Sequence, residues 1–545
     1  MKRITSFKIY AAACIVIAMS ACENKGPASS SMHARPKIVV GLMVDQMRWD
    51  YMYKYSQRYG EGGFKRLLRE GFSCENTLIS HAPTVTAIGH SSVYTGSVPA
   101  ITGIVGNSWY DREWGRQIEN VEDTTVTGVG GKAGNQRSPR NLLTTTIGDE
   151  LRMATNYQSK VVGVSIKDRG AILPAGHTAN GAFWYDNDAN SFITSTYYMN
   201  ELPDWASRFN AINWKDSLMP GGWNTLYPLD SYTLSDKDDK TYEGTFSGED
   251  KPVFPHTKAD ITNTPFGNTI TFEFAKSAIE GYKLGEGAFT DMLAVSVSSP
   301  DKIGHRFGPN SIEVEDNYLR LDKDLENFFN YLDKRYGKDG YLFFITADHG
   351  ANHSPGYLQE NKIPSDAINE DTMKQQILAS VKGKYGTADV IQTFTNGQIY
   401  LNYDVLAKKG LDRKAVAAYI ADLFSRQKGY VCAVSRDDLA TAPLPERIKS
   451  MFINGCNLKR SGDVFLIRSA GWKSGSLKGT AHGDWYPYDA HIPLVWLGHG
   501  IKHGKTNRTT GMVDIAPTLA ALLQIQMPSG NIGEVITEIS DQYMK

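Results

Sequence analysis

Short, almost continuously apolar stretches recur along the chain, and a cluster of polar residues follows each of them. Runs of this kind are typical of strands that are buried on both faces of a parallel sheet. Central strands are therefore predicted at residues 38–44, 161–166, 292–297, 341–345 and 492–497.

Helical patterns lie between these predicted strands. In residues 311–336, leucine and phenylalanine recur at near-helical spacing, Ser311 suits the N-cap and Glu313 lies in the first turn. Strands that alternate with helices predict a doubly wound α/β fold, which is a mostly parallel sheet with helices on both faces. Because such folds bind ligands at the carboxyl ends of their strands, the polar residues that follow each strand are the candidate functional residues.

Two long stretches interrupt this alternation. Residues 171–285 are rich in Trp, Tyr, Asn and Asp, and residues 355–470 carry their own pattern of helices and strands. We interpret both as insertions that form a cap over the functional site or one of its walls. The remainder is predicted to form one catalytic domain spanning residues 37–545.

The N-terminal residues have the pattern of an export signal. Lys2, Arg3 and Lys8 precede or flank an apolar run at residues 9–19, which is too short to cross a bilayer core of about 30 Å. Residues 1–21 are therefore predicted to be a signal peptide.

A lipid anchor is expected directly after this signal. Met19-Ser20-Ala21-Cys22 resembles a bacterial lipobox, in which the cysteine is lipidated and becomes the mature N-terminus. The alternative is an ordinary cleaved signal with small residues near the cut. Residues 22–36 are small and polar and are predicted to be a tether, so we expect a periplasmic lipoprotein.

The charge balance argues against nucleic acid as a partner. Residues 1–21 carry three basic and no acidic side chains, so their removal reduces 58 Lys and Arg to 55, against 59 Asp and Glu. A nucleic-acid-binding protein usually needs a basic excess to neutralise phosphates. Of the remaining cysteines, Cys74, Cys432 and Cys456 allow one disulfide in an oxidising compartment, and the sequence does not select its pairing.

Carboxylate and imidazole groups are concentrated where the predicted strands end. Such groups are costly to bury unless they are paired or bound to metal, and their oxygen and nitrogen atoms suit Zn²⁺. The six candidates are Asp45, Asp301, His305, Asp348, His349 and His482.

Several motifs resemble those of one enzyme superfamily. Residues 81–96 (HAPTVTAIGHSSVYTG) and 103–107 (GIVGN) resemble the nucleophile segment of the alkaline phosphatase superfamily in its threonine form. Residues 301–305, 346–350 (TADHG) and 513–518 (VDIAPT) resemble its other motifs. Residues 166–177 (IKDRGAILPAGH) narrow the resemblance to the flavobacterial PafA-type monomeric alkaline phosphatases, and the resemblance extends from about residue 37 to the end.

This resemblance implies a hydrolase that acts on a broad range of phosphate monoesters, forms a covalent phosphothreonine at Thr86 and uses two zinc ions per chain. Paired metal ions can stabilise the attacking and the leaving oxygen of an in-line displacement. The implied ligands are Asp301, His305 and His482 for one ion, and Asp45, Thr86, Asp348 and His349 for the other.

The resemblance also implies the substrate contacts. Asn107 would donate to a phosphate oxygen, while Lys167 and Arg169 would neutralise the extra charge that a monoester carries and a diester lacks. Lys167 would take the place of a magnesium ion found in related enzymes, so no magnesium is expected. The expected partners are small phosphomonoesters, and a monomer is expected.

Two other functions remain open at this point. A nucleotide pyrophosphatase or phosphodiesterase of the same superfamily shares the threonine, the asparagine and the metal ligands, but it characteristically lacks the Lys-x-Arg pair. A surface lipoprotein that binds phosphate or zinc without turnover is the alternative outside the enzymes. A sulfatase is disfavoured because its Cys/Ser-x-Pro-x-Arg segment is missing.

Overall fold

The computed structural model describes residues 35–131 and 134–543. The predicted signal peptide, the lipobox with Cys22 and nearly all of the tether lie outside these ranges. Within them, no helix combines the length and the apolar character that crossing a bilayer requires.

The strands are numbered in chain order. They are β1 (Ile38–Val44), β2 (Phe72–Leu78), β3 (Ser108–Asp111), β4 (Arg116–Glu119), β5 (Gly128–Val129), β6 (Val161–Ser165), β7 (Gly181–Asp186), β8 (Ser191–Ser195), β9 (Asp291–Val297), β10 (Tyr341–Thr346), β11 (Ala367–Ile368), β12 (Ile391–Thr395), β13 (Gln398–Leu401), β14 (Tyr430–Ser435), β15 (Val464–Arg468), β16 (Lys473–Ser474), β17 (His491–Ile492), β18 (Leu494–Gly498) and β19 (Gly504–Gly511).

The α-helices are numbered in the same way. They are α1 (Tyr51–Lys54), α2 (Phe64–Glu70), α3 (Thr86–Thr95), α4 (Pro99–Thr102), α5 (Ile147–Ala154), α6 (Asp168–Ala175), α7 (Asp204–Asn210), α8 (Trp214–Leu218), α9 (Phe266–Tyr282), α10 (Ser299–Phe307), α11 (Ile312–Tyr336), α12 (Pro355–Glu360), α13 (Glu370–Tyr385), α14 (Tyr403–Lys409), α15 (Arg413–Ser425), α16 (Glu446–Asn454), α17 (Pro487–Ala490), α18 (Ile515–Leu523) and α19 (Thr537–Tyr543).

A large mixed sheet forms the centre of the fold. Its strand order is β17-β2-β18-β10-β1-β9-β6-β7-β8-β5, with β19 beside β2. The five adjacent strands from β10 to β7 pair in parallel, and β1, β6, β9 and β10 are buried along their whole length. The predicted doubly wound, mostly parallel α/β sheet is confirmed.

The prediction of a central parallel strand at residues 492–497 was wrong in two respects, the direction of the strand and its continuity. Residues 492–497 form the end of β17 and most of β18, which run antiparallel to β2 and β10. Pro493 separates the two strands because proline has no N–H for a sheet hydrogen bond. An apolar run indicates that both faces of a strand are buried. It does not indicate direction, because a parallel and an antiparallel strand can both be buried in this way.

The long predicted helix is confirmed as α11. The Ser311 hydroxyl accepts a hydrogen bond from the Val314 N–H at 3.2 Å, so Ser311 is its N-cap as expected. Glu313 lies in the first turn, where the helix dipole favours a negative charge.

The two stretches interpreted as insertions contribute differently to the structure. Residues 171–285 supply β7 and β8 to the central sheet and α9, which packs against β9. Residues 355–470 form a separate four-stranded sheet, in the order β12-β13-β15-β14, with its own hydrophobic core. We refer to this second sheet as the inserted sheet. Cys74, Cys432 and Cys456 are all free thiols.

Candidate active site

The predicted ligands converge because their strands are neighbours. Asp45 directly follows β1, and the Asp348-His349 pair follows β10 after a single residue, Ala347. Asp301 and His305 lie on α10, which begins just after β9, and they are one helical turn apart. Since β10, β1 and β9 are adjacent and parallel, their carboxyl ends meet at one edge of the sheet.

Lys167 links two of these carboxylates. It is the N-cap residue of α6, just after β6, and its side chain is nearly buried. Its ammonium nitrogen lies 2.6 Å from Asp45 Oδ2 and 2.6 Å from Asp301 Oδ2. Burial works against this charge, but Asp301 and Asp45 outweigh it and raise the pKa of Lys167, so the side chain is an ammonium ion.

The nucleophile candidate lies beside this ammonium group. Thr86 is the first residue of α3 and is buried, and Lys167 Nζ donates towards its hydroxyl oxygen at 3.5 Å. Asn107 lies next to Thr86 because its Oδ1 accepts a hydrogen bond from the Ala87 N–H at 3.0 Å. With that oxygen engaged, the group that Asn107 offers to a ligand is its amide NH₂, as the resemblance implies.

The three histidines share one orientation. Each donates from Nδ1 to a backbone carbonyl: His305 to Thr480 at 3.0 Å, His349 to Gly350 at 3.0 Å and His482 to Thr84 at 2.8 Å. A carbonyl oxygen can only accept, so Nδ1 carries a proton in each ring, and Nε2 is the atom that each ring presents to the other candidate ligands. Nε2 of His305 lies 3.1 Å from Asp301 Oδ1, and Nε2 of His482 lies 3.6 Å from the same oxygen. Burial lowers the pKa of His349 and His482, which keeps both rings in the neutral form that binds metal.

The donor atoms lie close enough to share ions. Ligand atoms of Asp301, His305 and His482 lie within 4.8 Å of one another, and so do those of Asp45, Asp301 and His349. Asp348, which the resemblance places in the second set, has Oδ2 3.3 Å from His349 Nε2.

The electrostatics of the site fit metal ions. Among the described residues, the buried atoms Asp45 Oδ1, Asp348 Oδ2 and His349 Nε2 have no hydrogen-bond partner. Burial, reinforced by Asp45, raises the pKa of Asp348 well above its usual value, which shows how crowded the negative charges are. Buried, unpaired donors of this kind are the environment that a divalent cation stabilises.

Arg169 lies two residues after Lys167, on the first turn of α6. Its guanidinium is 3.6 Å from Asp168 Oδ1, and Arg137 Nε binds the other oxygen of Asp168 at 2.7 Å. Within the described part of the chain, the buried Nε of Arg169 has no partner. The guanidinium therefore keeps donor capacity for an anion.

Gln46 is a site residue that the sequence reasoning missed. Its side-chain amide donates to Asp301 Oδ1 at 2.7 Å, and its backbone N–H donates to Asp348 Oδ1 at 3.0 Å. Its φ of 64° is uncommon for a residue other than glycine and is a feature of constrained functional sites. Its position directly after Asp45 was the only available signal.

His81 and His90, which lie near the motifs, are both buried. His90 contacts the Thr86 carbonyl at 2.9 Å and the Ser296 hydroxyl at 2.8 Å, so it supports the nucleophile turn. Burial lowers the pKa of His81 to about 3 and that of His90 to about 4, so both are neutral.

Comparison with known proteins agrees with this fold. The family model described as type I phosphodiesterase / nucleotide pyrophosphatase matches residues 39–492. The chain therefore belongs to this family, within the alkaline phosphatase superfamily.

Individual relatives narrow the assignment within this superfamily. The chain is 52% identical to alkaline phosphatase PhoV of Synechococcus elongatus, over 93% of each chain. It is 50% identical to alkaline phosphatase PafA of Elizabethkingia meningoseptica, over 93% of this chain and 94% of PafA. A crystal structure of wild-type PafA superposes with a TM-score of 0.91 at 49% identity, covering 93% of this chain and 99% of that chain. Within the superfamily, this chain groups with the PafA-type enzymes.

Proposed function

We propose that this protein is a zinc-dependent alkaline phosphatase that hydrolyses phosphate monoesters through a phosphothreonine at Thr86. The observation that carries the proposal is the position of Lys167, which contacts Asp45 and Asp301 at 2.6 Å and lies 3.5 Å from the Thr86 hydroxyl. A fixed positive charge beside the nucleophile favours the more highly charged monoester. The names of the relatives at 50% and 52% identity support the same activity.

The reaction has two displacements at phosphorus. The Thr86 hydroxyl oxygen bonds to phosphorus while the bond to the alcohol oxygen breaks, and the alcohol leaves with a proton. Water then attacks the phosphothreonine, which frees Thr86 and releases inorganic phosphate. Thr86 begins α3, so the positive end of the helix dipole faces the transferred group, and the Asn107 amide can donate to one of its oxygens.

The ligand sets are Asp301, His305 and His482 for one zinc ion and Asp45, Thr86, Asp348 and His349 for the other. When bound, the ions would act as Lewis acids on the attacking and the leaving oxygens. We expect a chelator to abolish turnover and Zn²⁺ to restore it better than Mg²⁺, with metal content followed by elemental analysis. Full activity of the zinc-free protein would refute the zinc assignment.

The rival function is the phosphodiesterase chemistry named in the matched family. The test compares kcat/KM for 4-nitrophenyl phosphate and methyl 4-nitrophenyl phosphate, which release the same leaving group. We expect a preference of several orders of magnitude for the monoester. A preference for the diester would assign the protein to the phosphodiesterases.

We also propose that the enzyme is exported and anchored by a lipid on Cys22, on the basis of the N-terminal signal and lipobox. Cys22→Ser should move the protein from the membrane fraction to the soluble fraction without loss of turnover, because the tether separates the anchor from the site. An unmodified mature N-terminus in soluble wild-type protein would contradict the lipid anchor.

A further inference from the structure

A cavity of about 250 Å³ lies between the inserted sheet and the loop that carries His482. Five aromatic side chains line it: Phe394, Tyr430, Phe452, Phe465 and Trp485. Ligand pockets for drug-sized molecules usually measure about 300–1,000 Å³, so this cavity has the size of a single ring system.

The cavity adjoins the reacting groups. Its lining includes Val85, the residue before Thr86, and His482, one of the candidate metal ligands. Two hydrogen bonds join the His482 loop to Thr84, the residue before Val85. The His482 Nδ1 donates to the Thr84 carbonyl at 2.8 Å, and the Gly483 N–H donates to the Thr84 hydroxyl at 3.1 Å. The cavity wall is therefore joined to the segment that carries Thr86 and includes one candidate metal ligand.

The charges that line the cavity are already paired. Arg468 Nε donates to Asp484 Oδ1 at 2.9 Å, and Lys374 Nζ donates to Glu370 Oε2 at 2.9 Å. Neither pair leaves a surplus charge for an ionic ligand. The indole N–H of Trp485, another residue of the cavity wall, is buried and has no acceptor among the described residues.

A β-turn of the inserted sheet contacts the segment beside Asn107, the candidate phosphate-binding residue. Asn396 and Gly397, which connect β12 to β13, both have positive φ, as a tight hairpin turn requires. The Asn396 amide donates to the carbonyl of Ser108, the residue after Asn107. The same hairpin carries Phe394, so the cavity wall is fixed relative to the phosphate contacts.

We infer that this cavity binds the alcohol portion of the substrate and selects phosphomonoesters whose alcohol carries an uncharged planar aromatic ring. Aromatic walls stack with such a ring, while the paired charges offer nothing to a second anionic group. This inference rests on the proposed phosphatase function and names its substrate class.

The test uses two pairs of substrates that differ only in the ring. Adenosine 5′-phosphate and ribose 5-phosphate share a primary alcohol leaving group, and so do 2-phenylethyl phosphate and ethyl phosphate. We expect kcat/KM to be roughly fivefold to thirtyfold higher for the ring-bearing member. A preference in either pair supports the inference, and the two pairs distinguish a nucleobase from a plain arene.

Two kinds of variant connect this preference to the cavity. Phe394→Ala should lower the ratio of ring-bearing to ringless kcat/KM, whereas Phe394→Tyr should keep it. Ser474→Phe places a ring inside the cavity without deleting any wall, so it should also lower the ratio if Phe394→Ala fails to fold. Tyr385→Ala removes a ring of the same inserted region that does not line the cavity, and it should leave the ratio unchanged.

The outcomes separate this inference from the proposed function. Equal rates within both pairs, or a ratio that neither cavity variant lowers, would overturn the cavity assignment while ribose 5-phosphate hydrolysis still supports a phosphatase. Failure to hydrolyse any of the four monoesters would overturn the proposed function itself.

Discussion

His482 donates from Nδ1 to the carbonyl of Thr84 at 2.8 Å, which joins a candidate metal ligand to the turn that precedes Thr86, the candidate nucleophile. The ring of His482 also stacks on that of His349, with centroids 3.5 Å apart and an interplanar angle of 13°. The two candidate metal sets and the nucleophile therefore form one mechanically connected unit. Residues that orient this unit should affect metal binding as well as turnover.

Gln46→Leu should weaken zinc binding by about 10- to 100-fold, because Asp301 loses the amide donor that orients it. The backbone hydrogen bond from residue 46 to Asp348 does not depend on the side chain. Competition with a zinc chelator measures the affinity directly. Gln158→Leu is the control, since Gln158 is exposed, and an unchanged affinity in Gln46→Leu would remove Gln46 from the site.

Thr86→Ala should abolish most turnover, and Thr86→Ser should retain a good part because it keeps a hydroxyl at the start of α3. Wild-type protein quenched during turnover at acidic pH should carry phosphate on Thr86, detectable by peptide mass spectrometry. Phosphate on another residue would show that the nucleophile is misassigned.

Replacement of Lys167 and Arg169 together by alanine should lower monoester kcat/KM by roughly 10²–10³, equivalent to about 2.7–4 kcal/mol of transition-state stabilisation. Lys167 Nζ lies 3.5 Å from the Thr86 hydroxyl, and the buried Nε of Arg169 has no partner among the described residues. A monoester presents one more negative charge to these two cations than a diester does. Diester hydrolysis should therefore fall much less, and the specificity ratio should collapse. Equal losses on the two substrates would mean that the pair only supports the metal ligands or the fold.

Glu243→Gln should flatten the dependence of folding stability on pH. Burial and the nearby Glu313 raise the pKa of Glu243 from 4.5 to about 9, so the folded protein holds a proton that the unfolded chain releases. The stabilisation that this proton gives the folded protein is fully present below the pKa of Glu243 in the unfolded chain. It is lost as pH rises through the pKa of Glu243 in the folded protein, at up to about 1.4 kcal/mol per pH unit.

Urea unfolding between about pH 6 and pH 9 measures this slope. Glutamine keeps an oxygen that can accept the Lys240 N–H, which Glu243 Oε2 accepts at 3.0 Å. Glu201→Gln, at an exposed position, should keep the wild-type slope. Identical slopes in all three proteins would show that Glu243 is ionised in the folded state.

The sequence predicted those features that depend on local pattern. The apolar runs located β1, β6, β9 and β10 to within one residue at each end, and the helix spacing located α11. Five of the six ligand candidates followed from their positions after these strands, whereas His482 lies ahead of β17. The apolar run at residues 492–497 did not reveal that β18 is antiparallel to β10, because burial on both faces does not depend on strand direction.

Features made by distant segments had little or no signal in the sequence. Gln46 acts through contacts to residues 301 and 348, which only the folded sheet brings together. The aromatic cavity combines residues from 83 to 485, and none of its parts has a recognisable spacing. Sequence patterns record which face of an element is buried, but not which other element covers it.

The hairpin tip at Asn396 and Gly397 touches the phosphate side of the site from a sheet that supplies none of the candidate metal ligands. Four of the five aromatic residues of the inferred alcohol cavity are thus encoded in a separate stretch of the gene from the candidate metal ligands. Recombination that exchanges the inserted sheet between relatives would alter substrate preference while the reaction chemistry is inherited intact.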